Sequence, residues 1–228
     1  MGGRGAGSGG SGNAKPVMIT SVVTQSGDTA DLSAFPLTYG KPDPALSATA
    51  RTAVQAFESS HVNRKTEYGL LLDANGNQVY TAHGGSGSVS MPRSAYGKSS
   101  IMTHNHPRGK GEEGTLGGTF SEADLAVFAN ARITTMRAAA AEGTYSITKG
   151  PNFDDMGFSS FIHKVAGSRS RIYNKKVNGL VSDYKAGSIT YNEYFQKATN
   201  EFNHMLVGMH NDLLSGRSQY GYTYTLER

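Results

Sequence analysis

The chain has 228 residues, a formal net charge of +4 and no cysteine. The lack of cysteine excludes disulfide frameworks, thiolate zinc sites and the cysteine-based signature of nucleobase deaminases. No apolar run approaches the roughly 20 residues that a membrane-spanning helix needs, and residues 1–16 lack the apolar region of a secretory signal. We therefore expect a cytoplasmic protein that does not act at a membrane.

Glycine dominates the start of the chain. Seven of the first 15 residues are glycine, and a β-like run, VMITSVVT, precedes a polar stretch that contains proline. Residues 1–42 are therefore predicted to be a flexible tail and linker. Asp43 and Pro44 follow as the expected N-cap and first residue of a helix. That helix would bury one apolar face, formed by Leu46, Ala50, Ala53, Val54 and Phe57.

Residues 43–150 read as strands separated by helices. Two β-rich runs flank Asn75-Gly76, which is a strong signal for a hairpin turn. The predicted elements after the first helix are a hairpin over 66–83, a strand at 99–104, a helix from Ser121 and two strands over 134–149 around Glu142-Gly143. This order predicts a mixed α/β domain.

Residues 151–228 are predicted to be a helical C-terminal extension. Its strongest signal is an apolar face whose members are spaced mostly by three or four residues. The face consists of Phe195, Ala198, Phe202, Met205, Leu206, Met209 and Leu213. Such a face should pack on the domain or on a second chain, so a homo-oligomer formed through this helix is one expected partner.

Two histidines at the end of the 99–104 strand suggest a metal site. Residues i and i+2 of a strand project from the same face, so the imidazoles of His104 and His106 can reach one ion. Two polar residues at an exposed strand end would give the same pattern. Pro107 ends the strand directly after them.

A carboxylate at the next helix start is a candidate third ligand. Ser121 and Asp124 have the spacing of a capping box, which alone would account for both residues. As a ligand, Asp124 would complete a three-residue site with one open position, which is typical of catalytic zinc. Glu67 opens an otherwise apolar strand, where it is either a solvent-exposed edge residue or a carboxylate with a chemical task.

In this order, Glu67, H-N-H-P at 104–107 and S-E-A-D at 121–124 resemble the JAMM motif of MPN-domain zinc metalloproteases. The resemblance covers roughly residues 45–150. It implies an α/β, MPN-like fold with the cytidine-deaminase-like layered arrangement, in which a mixed sheet is flanked by helices. It also implies a zinc-dependent metallopeptidase or isopeptidase that acts on a protein or peptide.

The resemblance assigns a role to each motif residue. His104, His106 and Asp124 would bind Zn²⁺. Glu67 would take a proton from the attacking water and pass it to the leaving amine, and Ser121 would help to stabilise the oxyanion.

The chain departs from the family pattern between His106 and Ser121, where fourteen residues intervene. Residues 108–119 contain five glycines, so we expect a mobile lid over the site. Alternatively, Glu112 or Glu113 within this insertion replaces Asp124 as a ligand.

Two other functions remain open from the sequence. RadC-like bacterial proteins share the motif and suggest a role with DNA, and MPN domains without ligands act as scaffolds. The densest basic run, RSRIYNKK at 169–176, is better explained as a solvated helix face, so nucleic acid is not an expected partner. The glycine-rich opening also resembles that of tailed-phage proteins.

Overall fold

A computed structural model of the chain describes residues 37–42, 45–107 and 115–228. Several predictions therefore lie outside the described residues. They are the glycine-rich tail with its β-like run, Asp43 and Pro44 as helix start, and the part of the insertion that contains Glu112 and Glu113.

The fold is built on a six-stranded mixed sheet with helices on both faces, as the sequence predicts at the level of fold class. The strands are β1 (Tyr68–Leu72), β2 (Gln78–His83), β3 (Ile101–Asn105), β4 (Thr135–Ala140), β5 (Gly143–Lys149) and β6 (Tyr222–Glu227). Their order across the sheet is β2-β1-β3-β4-β5-β6. The β3–β4 pair is parallel, and the other neighbours are antiparallel.

The predicted hairpin is confirmed, and local polar contacts explain its turn. Asp73 Oδ1 accepts the backbone N–H groups of Asn75 and Asn77, each at 2.9 Å. Gly76 has a φ of 89°, a conformation in which a side chain is strained. The Asn75-Gly76 pair therefore closes β1 onto β2.

Helices cover the two faces of the sheet unequally. They are α1 (Ala48–His61), α2 (Arg93–Tyr96), α3 (Glu122–Asn130), α4 (Asp155–Ile162), α5 (Ser168–Lys185) and α6 (Tyr191–Tyr220), and a π-helical turn, His163–Gly167, joins α4 to α5. A small core lies beneath α1. The main core lies on the other face, where residues of α3 to α6 pack against the sheet.

The first helix begins later than predicted. The helix starts at Ala48, and its N-cap is Ser47, whose hydroxyl accepts the N–H of Ala50 at 3.2 Å. The predicted apolar face is present in part, because Ala50 and Val54 are fully buried while Phe57 is only half-buried. Serine competes well as an N-cap because its short side chain reaches the first-turn amides.

The C-terminal segment is helical as predicted, but it ends in a strand that was not predicted. The apolar face of α6 is buried within this chain, so the fold itself accounts for the face that suggested an oligomer. Gly221, with φ 70°, ends α6, and β6 then pairs with β5. The sheet thus continues across the predicted boundary at residue 150.

The last residues of the predicted linker pack beside β6. Gly40 donates its N–H to the carbonyl of Leu226 at 2.9 Å, and the Tyr39 hydroxyl donates to the carbonyl of Glu142 at 3.0 Å. Residues 37–42 are therefore part of the folded unit rather than a free linker.

Within the described ranges, no helix has the length and apolar character needed to cross a bilayer.

Candidate metal centre

The two histidines lie where β3 leaves the middle of the sheet. His104 is on β3, and the N–H of His106 donates to Ala139 of β4 at 2.8 Å, which continues the parallel pairing past the end of the strand. Both side chains face the main core, with 0% and 4% of their surface exposed. Their Nε2 atoms are 2.9 Å apart, so the same-face prediction is confirmed.

Asp124 completes the group from the first turn of α3. Its Oδ2 lies 3.5 Å from His104 Nε2 and 3.9 Å from His106 Nε2, and its side chain is 16% exposed. Donor atoms bound at 2.0–2.1 Å to one tetrahedral zinc ion are roughly 3.3–3.4 Å apart. The three separations bracket that value, so this buried group could hold a metal ion.

Ser121 and Asp124 also form the capping box that their spacing suggests. Asp124 Oδ2 accepts the N–H of Ser121 at 2.8 Å and its hydroxyl at 2.7 Å, while Ser121 Oγ accepts the N–H of Asp124 at 3.2 Å. Capping and metal binding do not exclude one another here. The box fixes Asp124 so that its Oδ2 points at the imidazoles.

The electrostatics of the group favour a cation. Burial alone would lower the pKa of His104, but the charge and hydrogen bond of Asp124, with smaller contributions from Glu67 and Glu58, raise it to about 9. Burial would raise the pKa of Asp124, yet the two histidines hold it well below its usual range. The carboxylate therefore stays ionised and needs positive charge beside it.

Glu67 is buried on the same side of the sheet. Gly69 pairs with His104, so Glu67, two residues earlier, faces the group formed by His104, His106 and Asp124, hereafter the metal group. Only 6% of its surface is exposed, and its charge contributes to the raised pKa of His104. Glu67 is thus not the solvent-exposed edge residue that the sequence left open.

Asn105, between the two histidines, had no role in the prediction from sequence. Its side chain points to the opposite face, where Oδ1 accepts the N–H of Tyr68 at 2.7 Å and Nδ2 donates to the carbonyl of Thr66 at 3.1 Å. These two contacts hold the backbone on either side of Glu67. The signal was available, since a buried Asn in a strand needs partners for both ends of its amide.

Tyr96, at the end of α2, is a second neighbour that sequence reasoning missed. Burial raises the pKa of its phenol, and the charge of Asp124 raises it further, so the phenol is within electrostatic range of that carboxylate. Nothing in the spacing along the chain connects Tyr96 with the motif.

The structure therefore brings together His104, His106, Asp124, Ser121 and Glu67. No family model matches the chain, and neither a curated protein nor a solved structure does. The resemblance to MPN-domain proteases thus rests on these motif residues and their arrangement.

Proposed function

We propose that the chain is a zinc-dependent peptidase or isopeptidase that hydrolyses an amide bond in a protein or peptide. One observation carries the proposal. His104 Nε2, His106 Nε2 and Asp124 Oδ2 converge within 4.8 Å of one another, and a fourth, acidic side chain, Glu67, is buried on the same face. Three ligands and a nearby base that is not a ligand are what metal-assisted hydrolysis requires.

Each side chain has a task in this proposal. His104, His106 and Asp124 hold the ion, which when bound supplies a Lewis acid that polarises the substrate carbonyl and makes water more acidic. The Glu67 carboxylate accepts a proton from the attacking water and later delivers it to the leaving nitrogen.

Ser121 would stabilise the oxyanion. In the resting arrangement its O–H donates to Asp124 Oδ2. The O–H bond can rotate towards a substrate oxygen while Oγ continues to accept the N–H of Asp124, so the cap survives. A hydrogen bond made only in the transition state accelerates the chemical step.

A non-catalytic scaffold on the same fold is less well supported. Replacing a buried ion pair by apolar side chains is often neutral or stabilising, so a module that only binds partners gains nothing from keeping two buried imidazoles beside an ionised carboxylate. The buried position of Glu67 adds to this argument, because a scaffold has no use for a base there.

Metal analysis and hydrolysis assays would test the proposal together. Purified protein should contain close to one zinc ion per chain, and His104→Ala and His106→Ala should lose it. Glu67→Gln should keep zinc, while cleavage of a peptide library or of Lys ε-amide-linked peptides falls by at least ~100-fold.

His61→Ala is the matched control, because His61 is a histidine on α1, outside the group. It should keep both zinc and activity. Full zinc occupancy in the His104→Ala/His106→Ala double variant would refute the ligand assignment. Unchanged cleavage by Glu67→Gln would refute its role as the base.

A further inference from the structure

The chain that returns from the insertion to α3 is anchored by one carboxylate. Of the predicted lid, residues 115–119 are described, and all five are buried rather than projecting over the site. The N–H groups of Gly117 and Gly118 donate to Oε2 and Oε1 of Glu142, at 2.8 and 2.7 Å. One side chain from the β4–β5 turn thus holds two consecutive backbone amides.

The two glycines let the backbone come this close. A Cβ on Gly117 would lie 2.5 Å from the Cβ of Ala140, and Gly118 has a φ of 85°. Neither position tolerates an ordinary side chain without a shift of the backbone. The pair is therefore shaped to lie against the β4–β5 turn.

Glu142 is itself held in place. The Tyr145 hydroxyl donates to its Oε1 at 2.9 Å, and the Tyr39 hydroxyl donates to its backbone carbonyl at 3.0 Å. With two amides and one hydroxyl donating to it, the carboxylate has a defined orientation. Charge-assisted hydrogen bonds of this kind are stronger than neutral ones.

The anchored segment acts on a metal ligand. The carbonyl of Gly118 lies 2.9 Å from His106 Nδ1. A carbonyl only accepts, so Nδ1 must carry the hydrogen, and the Nε2 of neutral His106 keeps its lone pair towards His104 and Asp124. A hydrogen bond that fixes the tautomer and ring orientation of a metal-ligating histidine commonly sets metal affinity.

From these contacts we propose that Glu142 is a positioning residue of the metal centre. It holds the Gly117-Gly118 backbone so that the Gly118 carbonyl keeps His106 in the Nδ1–H tautomer and correctly oriented. The inference rests on the proposed metal site but not on the identity of the substrate. A carboxylate 36 residues beyond His106 in the sequence thereby prepares the site before any ion arrives.

Zinc titration of the full chain tests the proposal. Glu142→Gln keeps one acceptor but turns an amide donor towards the other N–H, so the zinc dissociation constant should rise by about 10- to 100-fold. Tyr145→Phe removes only the hydroxyl that orients Glu142. It should raise the zinc dissociation constant several-fold and leave the fold intact. Two further readouts need no substrate: the visible spectrum of the cobalt-substituted protein, and nitrogen NMR of the His106 tautomer in the metal-free protein.

Glu227→Gln is the control, because Glu227 also uses both of its carboxylate oxygens but lies outside the metal centre; it is buried, at 6% exposed, whereas Glu142 is half-buried. The control should lower stability without changing zinc affinity, cobalt spectrum or tautomer. Wild-type zinc affinity and a pure Nδ1–H tautomer in Glu142→Gln and Tyr145→Phe would overturn the proposal. Wild-type protein that binds zinc but cleaves no amide would instead overturn the proposed function and leave this inference standing.

Discussion

Asn105 holds the backbone beside Glu67, the proposed base, without contacting its carboxylate directly. It contacts the backbone at Thr66 and Tyr68 and so holds the residue between them, Glu67. The histidines on either side of Asn105 face the candidate metal site while its own side chain faces away. The short H-N-H sequence thus links the two proposed ligands with the position of the proposed base.

We expect Asn105→Ala to separate catalysis from metal binding. Loss of the amide leaves the Tyr68 N–H and the Thr66 carbonyl without their partner, which should lower the free energy of unfolding by about 1–3 kcal/mol. Zinc should be retained, while kcat falls by about 10- to 100-fold because Glu67 is no longer held in place. Zinc analysis, urea unfolding and peptide cleavage measure the three effects.

Asn130→Ala is the control, since Asn130 makes one exposed amide contact at the end of α3. It should change stability by less than about 0.5 kcal/mol and leave kcat unaltered. Equal kcat values for both variants would show that Asn105 does not position Glu67.

The buried side chain of His210 should make the stability of the fold depend on pH. Its ring is fully buried in α6 beside Tyr145 and Tyr224, and its Nδ1 lies 2.9 Å from the Tyr224 hydroxyl. Burial lowers its pKa to about 4, although the backbone of Thr38 opposes part of the shift. The unfolded chain, with a pKa near 6.5, binds the proton more readily than the folded chain.

Stability from this group should therefore be complete above about pH 6.5 and decline as the pH falls towards about 4. His210→Gln removes this titration. Between about pH 6.5 and pH 4, the unfolding free energy of the variant should therefore depend less steeply on pH than that of the wild type, with a difference in slope of up to about 1.4 kcal/mol per pH unit. Urea unfolding at several pH values measures the slope. His204→Gln, at an exposed position of the same helix, is the control and should keep the wild-type slope. If His210→Gln also keeps the wild-type slope, His210 is not the group that makes stability depend on pH.

At the scale of elements, the β1–β2 turn is also a packing surface for α1. A Cβ on Gly76 would lie 2.7 Å from the backbone nitrogen of Ala50 and 2.8 Å from its Cα. The hairpin tip therefore rests directly against the first turn of the helix. Helix backbone cannot move aside as a flexible side chain can.

Gly76→Ala should accordingly be more destabilising than backbone strain alone explains. Gly187, in the turn before α6, also has a positive φ, 72°, but no atom lies within 4 Å of the position its Cβ would take. Gly187→Ala should lower the unfolding free energy by about 1–2 kcal/mol from strain. Gly76→Ala should lose about 1–3 kcal/mol more because of the clash, as measured by urea unfolding, and equal losses would contradict the contact with α1.

The elements that could be predicted are those with strong local patterns. The signal for the hairpin lies in the few residues around Asn75-Gly76, and the signal for the apolar face of α6 repeats within a few helical turns. Strand β6 was missed although Tyr222, Tyr224 and Leu226 alternate towards the core, because the run is short and follows a 30-residue helix. Its pairing partner, β5, is distant in sequence, and local pattern carries no information about such pairing.

The same reasoning explains which parts of the site were foreseen. His104 and His106 share a strand face, and Asp124 follows from the start of a helix, so local geometry suggested all three. The contacts of Glu142 with Gly117 and Gly118 join residues 25 and 24 positions apart and depend on how a loop packs. Periodic patterns of apolar residues carry no information about such packing.

At the scale of the whole molecule, the sheet separates two buried polar groups. The metal group lies on the face covered by α3 to α6, and Arg137 of β4 lies on the α1 face, 2% exposed. Arg137 Nε and Nη2 donate to Glu58 of α1 at 2.7 and 3.1 Å, and its Nη1 and Nη2 donate to Glu227 of β6 at 3.1 and 3.0 Å. One guanidinium therefore joins the first helix, the middle of the sheet and the last strand.

Arg137→Met should destabilise the whole fold, because it leaves two buried carboxylates without their cation. We expect the unfolding free energy to fall by about 3–5 kcal/mol in urea unfolding. Changing Glu58 and Glu227 to Leu in the same chain should recover at least half of that loss, since no unpaired buried charge remains.

Arg169→Met is the matched control. Arg169 also makes a two-bond contact with one carboxylate, that of Asp212, but both side chains are about one-third exposed, so the loss should stay below about 1 kcal/mol. Equal losses for the two arginine variants would mean that burial does not make the Arg137 group special, and that the first helix and last strand are held to the sheet by apolar packing alone.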